Sequence, residues 1–396
     1  FAHPILLLLL ISIIFIYVKL KGVLPIMKIT CQKAELAKGV NIVSKAVPTR
    51  TTMAILECIL IDASTNEIKL TANDMEIGIE TIIEGTIEER GIIALDARFF
   101  SDIVRKLPDN EVTIETDATF KTTITCEKAN FTIVGKSGED FAYIPIIPRN
   151  EPILLSQFTL KEVIRQTIFS IADNENNKLM TGELFEIEGN HLKVVSLDGH
   201  RISIRNIELK ESYENKKVVV PGKSLIEVSK IIPGSTEEMV NLFITDNHII
   251  FEFDNTTVVS RLIEGEYFKI DKMLSTDYET KFKINKRELL DCIDRATLMV
   301  KEGDKKPIIM DITDGNMELK INSVAGSMKE DIEIGKEGKD ILIGFNPKFF
   351  IDALRVIDEE EVSIYMVNPK APCFIKDDED KYIYLILPVN FNTATN

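Results

Sequence analysis

The chain has 396 residues, enough for two or three domains at about 150 residues each; 45% hydrophobic and 28% charged residues exclude a disordered or collagen-like chain. Lys and Arg number 47 against 63 Asp and Glu, a net charge of −16. That excludes a protein holding nucleic acid by overall positive charge, though not a basic patch within an acidic whole. The five cysteines (Cys31, Cys58, Cys126, Cys292, Cys373) show no CxxC, and the four histidines no HExxH. No disulfide framework, metal or cofactor is therefore expected, and a reducing cytoplasm fits best.

In chain order, Ile5 to Val18 form an apolar run of fourteen residues. A membrane span wants about 20. A signal peptide wants a basic segment before the run and a small-residue cleavage site after it, and neither is present. Met27 opens text of ordinary soluble character, so residues 1–26 are expected to be upstream translated sequence or an expression remnant, with a membrane anchor as the alternative. Amphipathic helices follow at 33–47, 94–108, 160–172, 219–233, 286–300 and 344–358, with alternating strands between them, for example at 111–126, 191–204 and 317–334. Boundaries fall at the Pro-rich stretch 144–152 and the polar stretch 275–280. The closing Tyr382–Val389 segment reads as a final strand.

Three of these segments share one register. Arg98, Lys223 and Lys348 are spaced by 125 residues, as are the acids Asp102, Glu227 and Asp352 and the bases Arg105, Lys230 and Arg355. The other helix face carries the apolar stripe of a helix lying on a sheet, with Phe100 and Val104 matched by Leu225 and Val228 and by Phe350 and Leu354. An earlier helix recurs too, so each repeat is a strand–helix–strands unit performed twice, an α+β architecture of three tandem similar domains: 27–150, 151–277 and 278–396. Counted over 33–46, 97–107, 160–172, 222–232, 286–300 and 347–357, the six helical segments sum to +7 within a chain of −16. Arg98–Asp102 and its counterparts read either as surface i,i+4 pairs or as cations aimed at a polyanion. Cations at a helix start oppose the macrodipole, and base-before-acid is the poorer pair order.

Two motifs tempt. Gly222-Lys223-Ser224 follows a strand and opens a helix, but a phosphate loop needs glycine where Lys217 stands. Asp198 and His200 suggest half of a catalytic triad, whereas Asp-Gly between strands more simply makes a hairpin turn.

Taken together, LDGHRI (197–202), MKIT at Met27, ARFFSDIVRKLP, GFNPKFFIDAL and LILPV (385–389) resemble the bacterial DNA polymerase III beta subunits, the sliding clamps, across 27–391 in order. The resemblance implies a homodimeric ring with antiparallel sheets outside and helices inside, encircling double-stranded DNA without catalysis of its own. It also implies a cytoplasmic replication factor that confers processivity as part of the polymerase III holoenzyme, which also carries the 3'-5' exonuclease. The implied partners are the polymerase III alpha subunit, the clamp loader and other proteins with a clamp-binding motif, with no membrane.

By resemblance, DNA contacts fall on Arg50, Arg98, Asn174 and Lys178, and the repeated bases Arg105, Lys223 and Lys230 join them. The partner-peptide pocket falls on Met180, Leu197, Gly199, His200, Arg201, Ile202, Phe268, Met273, Leu385, Ile386, Leu387, Pro388 and Val389. The dimer interface falls on Phe131 against Leu298 and Met299. Phe268 and Asn390 depart from the family's proline and arginine, which implies a shifted peptide preference. Against this stand a membrane-tethered β-rich binding protein, resting on residues 5–18, and an enzyme using Asp198 and His200.

Overall fold

A computed structural model describes residues 25–149, 151–173, 176–274, 277–300 and 306–391. The leader over 1–24 and Asn174 lie outside the described residues. Six α-helices occur among the described residues: α1 (Lys33–Val43), α2 (Ala97–Lys106), α3 (Gln157–Thr167), α4 (Gly222–Ile231), α5 (Lys286–Thr297) and α6 (Pro347–Val356). None is long and apolar enough to cross a membrane. Five begin at the residue after a strand and α6 one residue later, and four begin on a side-chain cap. Asp96, Ser156, Asn285 and Asn346 each accept a hydrogen bond from a backbone N–H of the first turn, a device worth about 1 kcal/mol.

The helices pack in pairs, α1 with α2, α3 with α4, and α5 with α6. The stripe read from the sequence faces inward. Phe100, Val104, Leu225, Val228, Phe350 and Leu354 are all buried, each contributing roughly 1.5–3 kcal/mol. The chain thus comprises three tandem similar domains, each with two strand–helix–strands units.

The sheets do not respect the repeats. One compact unit comprises the chain up to Pro152 together with Val240–Arg261; the other comprises Ile153–Met239 and the chain from Leu262. In the first unit, a five-stranded antiparallel sheet runs in the order Thr86–Glu89, Pro25–Gln32, Glu111–Asp117, Lys121–Cys126, Ala129–Val134. Beside it Thr256–Arg261, from the middle repeat, pairs with Ile77–Ile83 from the first. That seam carries a buried Thr81–Thr256 hydroxyl contact of 2.9 Å.

In the second unit, a seven-stranded sheet runs Gly182–Leu197, Arg201–Pro221, Tyr382–Ile386, Cys373–Lys376, Glu361–Met366, Thr280–Asn285, Gly335–Gly338. It fuses the long hairpin of the middle repeat to the last strand of the chain. A four-stranded sheet of the last repeat ends at the strand Gly326–Glu333.

Candidate functional site

The repeated cations are exposed, and their ion pairs differ from the i,i+4 expectation. Asp102 binds Arg105 at 2.5 Å and Glu227 binds Lys230 at 2.8 Å, both i,i+3 and both acid before base. The correction has a physical cause, since that order suits the helix dipole and the reverse does not. Arg98 and Lys348, at the starts of α2 and α6, are exposed and have no ion-pair partner among the described residues. Arg50 is exposed on the loop after α1, and Lys178 is exposed on the short 3-10 turn Lys178–Thr181.

That turn lies against the start of α4, where a Cβ at Gly222 would come within 2.9 Å of the Thr181 carbonyl oxygen. The glycine of the false phosphate loop is therefore a packing requirement. It brings the loop of Lys178 beside the helix that carries Lys223.

The outer face of the seven-stranded sheet carries the docking candidates. Strand register places Leu197 opposite Ile202, Ile202 opposite Leu385, Leu385 opposite Phe374, and Phe374 opposite Tyr365. This row runs straight across five strands on one face. Val195, Ile204, Tyr267 and Ile270 join it in one apolar cluster, and Leu179, Met180, Ile263, Phe268 and Leu274 pack at its margin. Phe268 meets Tyr267 edge to face with centroids 5.6 Å apart. Met273 (56% exposed) and Leu387 (37%) leave apolar surface at the rim. Beyond the strand end, the Leu387 amide donates to the His200 carbonyl (2.9 Å) and the Val389 amide to the Gly344 carbonyl (2.9 Å), tying Leu387 to the turn and Val389 to the strand Ile341–Phe345.

Two expected pocket residues face the other way. Arg201 pairs with Ile386 across the sheet, and Ile386 with Cys373. Side chains alternate faces along a strand, so this second row points to the helices. Ile386 is buried in the core of the last repeat. Sequence reasoning missed Val195, Tyr267, Leu274, Phe374 and Tyr365, whose only signal is alternation read together with a register that needs the paired strands.

Asp198, Gly199 and His200 form the turn of the hairpin, with Gly199 at φ 87°. Asp198 Oδ1 accepts the amides of His200 (2.9 Å) and Arg201 (3.1 Å), and Oδ2 accepts Arg201 Nε (3.0 Å). The His200 ring stacks on Phe349 at 6.0 Å. The carboxylate serves the turn and the ring serves a stack, so no acid–base dyad forms. No cluster of metal-ligating side chains occurs among the described residues. A groove of about 830 Å³ lies elsewhere in this unit, between α3 and the hairpin, and its walls include Glu162, Glu186, Glu208, Lys193 and Arg205.

Under this face, Glu183 is fully buried, and neither carboxyl oxygen has a hydrogen-bond partner among the described residues. Burial pushes its pKa up to about 8, only partly offset by the neighbouring Thr167 hydroxyl, which donates to the Val163 carbonyl at 2.7 Å.

At the sheet edges, Ala129–Val134 ends its sheet with Phe131 (39%) and Val134 (78%) exposed. Leu298, just after α5, is 75% exposed. Met299 is half-buried and packs against the core of the last repeat.

Three family models match in tandem: the N-terminal domain of the DNA polymerase III beta subunit over 27–145, its central domain over 154–269 and its C-terminal domain over 271–390. The beta sliding clamp of Staphylococcus epidermidis is 34% identical over 376 residues, 92% of this chain and 99% of that protein. A crystal structure of a putative DNA polymerase III beta subunit from Eubacterium rectale superimposes with a TM-score of 0.90 at 81% identity, covering 92% of this chain and 100% of that one. The sliding clamp structure from Bacillus subtilis gives 0.89 at 34% identity over the same shares. The chain therefore belongs to the DNA polymerase III beta subunit family and is a sliding clamp, a non-catalytic processivity factor of DNA replication.

Proposed function

We propose that this clamp works as a homodimeric ring around double-stranded DNA and that the outer face of the seven-stranded sheet docks the polymerase III alpha subunit, the clamp loader and other partners through a short peptide. The observation that carries the DNA reading is the repeated, outward-facing cation at the start of each second helix, Arg98, Lys223 and Lys348, within a chain of net charge −16. Topological tethering needs only a modest cationic lining, so the rest of the surface is free to be acidic. Arg50, Arg105, Lys178 and Lys230 supplement that lining, and Asn174 belongs to the same proposal.

Peptide capture is supported by the apolar row with a part-exposed rim at Met180, Phe268, Met273 and Leu387, the usual composition of such sites. Ring closure is supported by two exposed apolar groups, Phe131 on an open sheet edge and Leu298 after α5; pairing them between copies would cover an edge that otherwise invites aggregation. The domain boundaries proposed are 27–150, 151–277 and 278–396.

Sedimentation equilibrium tests the ring. The expected result is a dimer that Phe131→Asp with Leu298→Asp converts to monomer, with loss of salt-resistant retention on nicked circular DNA. A wild-type monomer at micromolar concentration, or a double variant that stays dimeric, would overturn it.

A further inference from the structure

The three acids that share one register do not share one partner. Asp102 and Glu227 each bind the base three residues on in their own helix. Asp352, in the third copy, instead binds Arg201 Nη1 at 2.6 Å, while Arg355 turns to Asp294 of α5 at 3.6 Å. The departure from the repeat occurs where α6 meets the hairpin turn of the docking face.

Arg201 is 6% exposed. Its guanidinium also binds Asp198 Oδ2 (3.0 Å) and the carbonyl of Phe169, just past α3, and lies over the Phe349 ring at 4.7 Å and the Phe169 ring at 5.4 Å. Phe349 in turn stacks on His200. A planar guanidinium whose donors are shared among three oxygens fixes orientation in a way a flexible ammonium does not.

We infer that Asp352, acting through Arg201, is a positioning residue for the docking face. The bridge holds the Asp198–His200 turn in the shape that presents His200 and anchors the Leu387 amide, so occupancy of the docking face is coupled to α6, the helix that carries Lys348 in its first turn. Asp352 stands on the opposite face of the sheet from the apolar row, as its contact with Arg201 shows, and so acts at a distance. This rests on the docking reading above.

The test is fluorescence anisotropy on the full chain, with a labelled peptide carrying the clamp-docking segment of the same organism's polymerase III alpha subunit. Asp352→Asn should weaken binding roughly tenfold, the usual scale of a coupling between sites. Asp352→Glu should recover most of the affinity, and Asp102→Asn, the equivalent acid of the first repeat, should change nothing. Arg201→Lys should weaken binding to a similar degree, and adding Asp352→Asn to it should weaken binding no further, since both act through one bridge.

Leu385→Ala separates the two readings. If Leu385→Ala weakens binding and Asp352→Asn does not, the positioning role is overturned while docking stands. If Leu385→Ala leaves binding intact, the docking face itself is wrong. Equal losses from Asp352→Asn and Asp352→Glu, or from Asp102→Asn, would reduce the bridge to general stability and overturn the inference.

Discussion

The seven-stranded sheet of the second compact unit has two faces built from the same strands, and they are put to opposite uses. The helix face is closed, with Tyr384, Ile386 and Cys373 buried under α5 and α6 in one core. The outer face aligns Leu197, Ile202, Leu385, Phe374 and Tyr365 in a row, against which the 263–274 segment and the 179–180 turn pack. A one-residue change of register would exchange the two sets. The face that stabilises the fold and the face proposed to recognise a partner are thus separated by the alternation of a strand and by nothing else. Perturbations of one face should therefore be told apart from perturbations of the other.

The largest expected effect is on the closed face. Glu183 is fully buried without a hydrogen-bond partner among the described residues. Its pKa rises from 4.5 to about 8, with Tyr267 a titratable neighbour whose own pKa is raised first by burial and then by this carboxyl. In that window the folded state holds a proton that the unfolded chain has lost. Stability therefore falls as pH rises from 4.5 toward 8, by up to about 1.4 kcal/mol per pH unit. Glu183→Gln should flatten this slope in denaturant melts taken at several pH values, with peptide affinity unchanged. A wild-type slope of the opposite sign would mean that the carboxyl is ionised and paired in the fold.

On the open face, charges placed at the exposed rim, Met273→Asp with Leu387→Asp, should lower peptide affinity roughly a hundredfold, the scale of a lost hot spot, with the melting profile kept. Reversing Arg98, Lys223 and Lys348 to Glu should lower loading on DNA roughly tenfold and flatten its salt dependence, since fewer phosphate contacts release fewer counterions, while the dimer and peptide docking survive. Unchanged loading would make those cations surface groups only. The smallest effect expected is that of Arg50→Ala, which should lower the slope of log affinity against log salt by about one.

How much of this was legible beforehand follows from the same geometry. Helix positions and the cation register need only local periodicity, so α2, α4 and α6 lie where 94–108, 219–233 and 344–358 placed them. The repeated cations are side chains at helix starts, visible without knowing what packs where. The apolar face proposed for docking gathers separated segments, and which side of the sheet each residue faces depends on pairing between strands about 180 residues apart, such as Ile202 with Leu385. Resemblance carried over stretches of chain but not the side of the sheet that each residue faces. Arg201 and Ile386 therefore entered the pocket although both point to the helices, and Tyr365 and Phe374 were left out. Ion-pair choice was likewise hidden, because Asp352 follows the spacing of Asp102 and Glu227 yet meets a partner 151 residues away.

The most direct test of the central claim is retention on DNA before and after cutting it. The protein is assembled on nicked circular DNA with a bacterial clamp loader and ATP, the salt is raised, and half the sample is linearised. Topological encirclement predicts that the clamp stays on the circles and leaves only the linearised molecules. Equal loss from both forms at high salt would mean ordinary electrostatic binding and would contradict the ring.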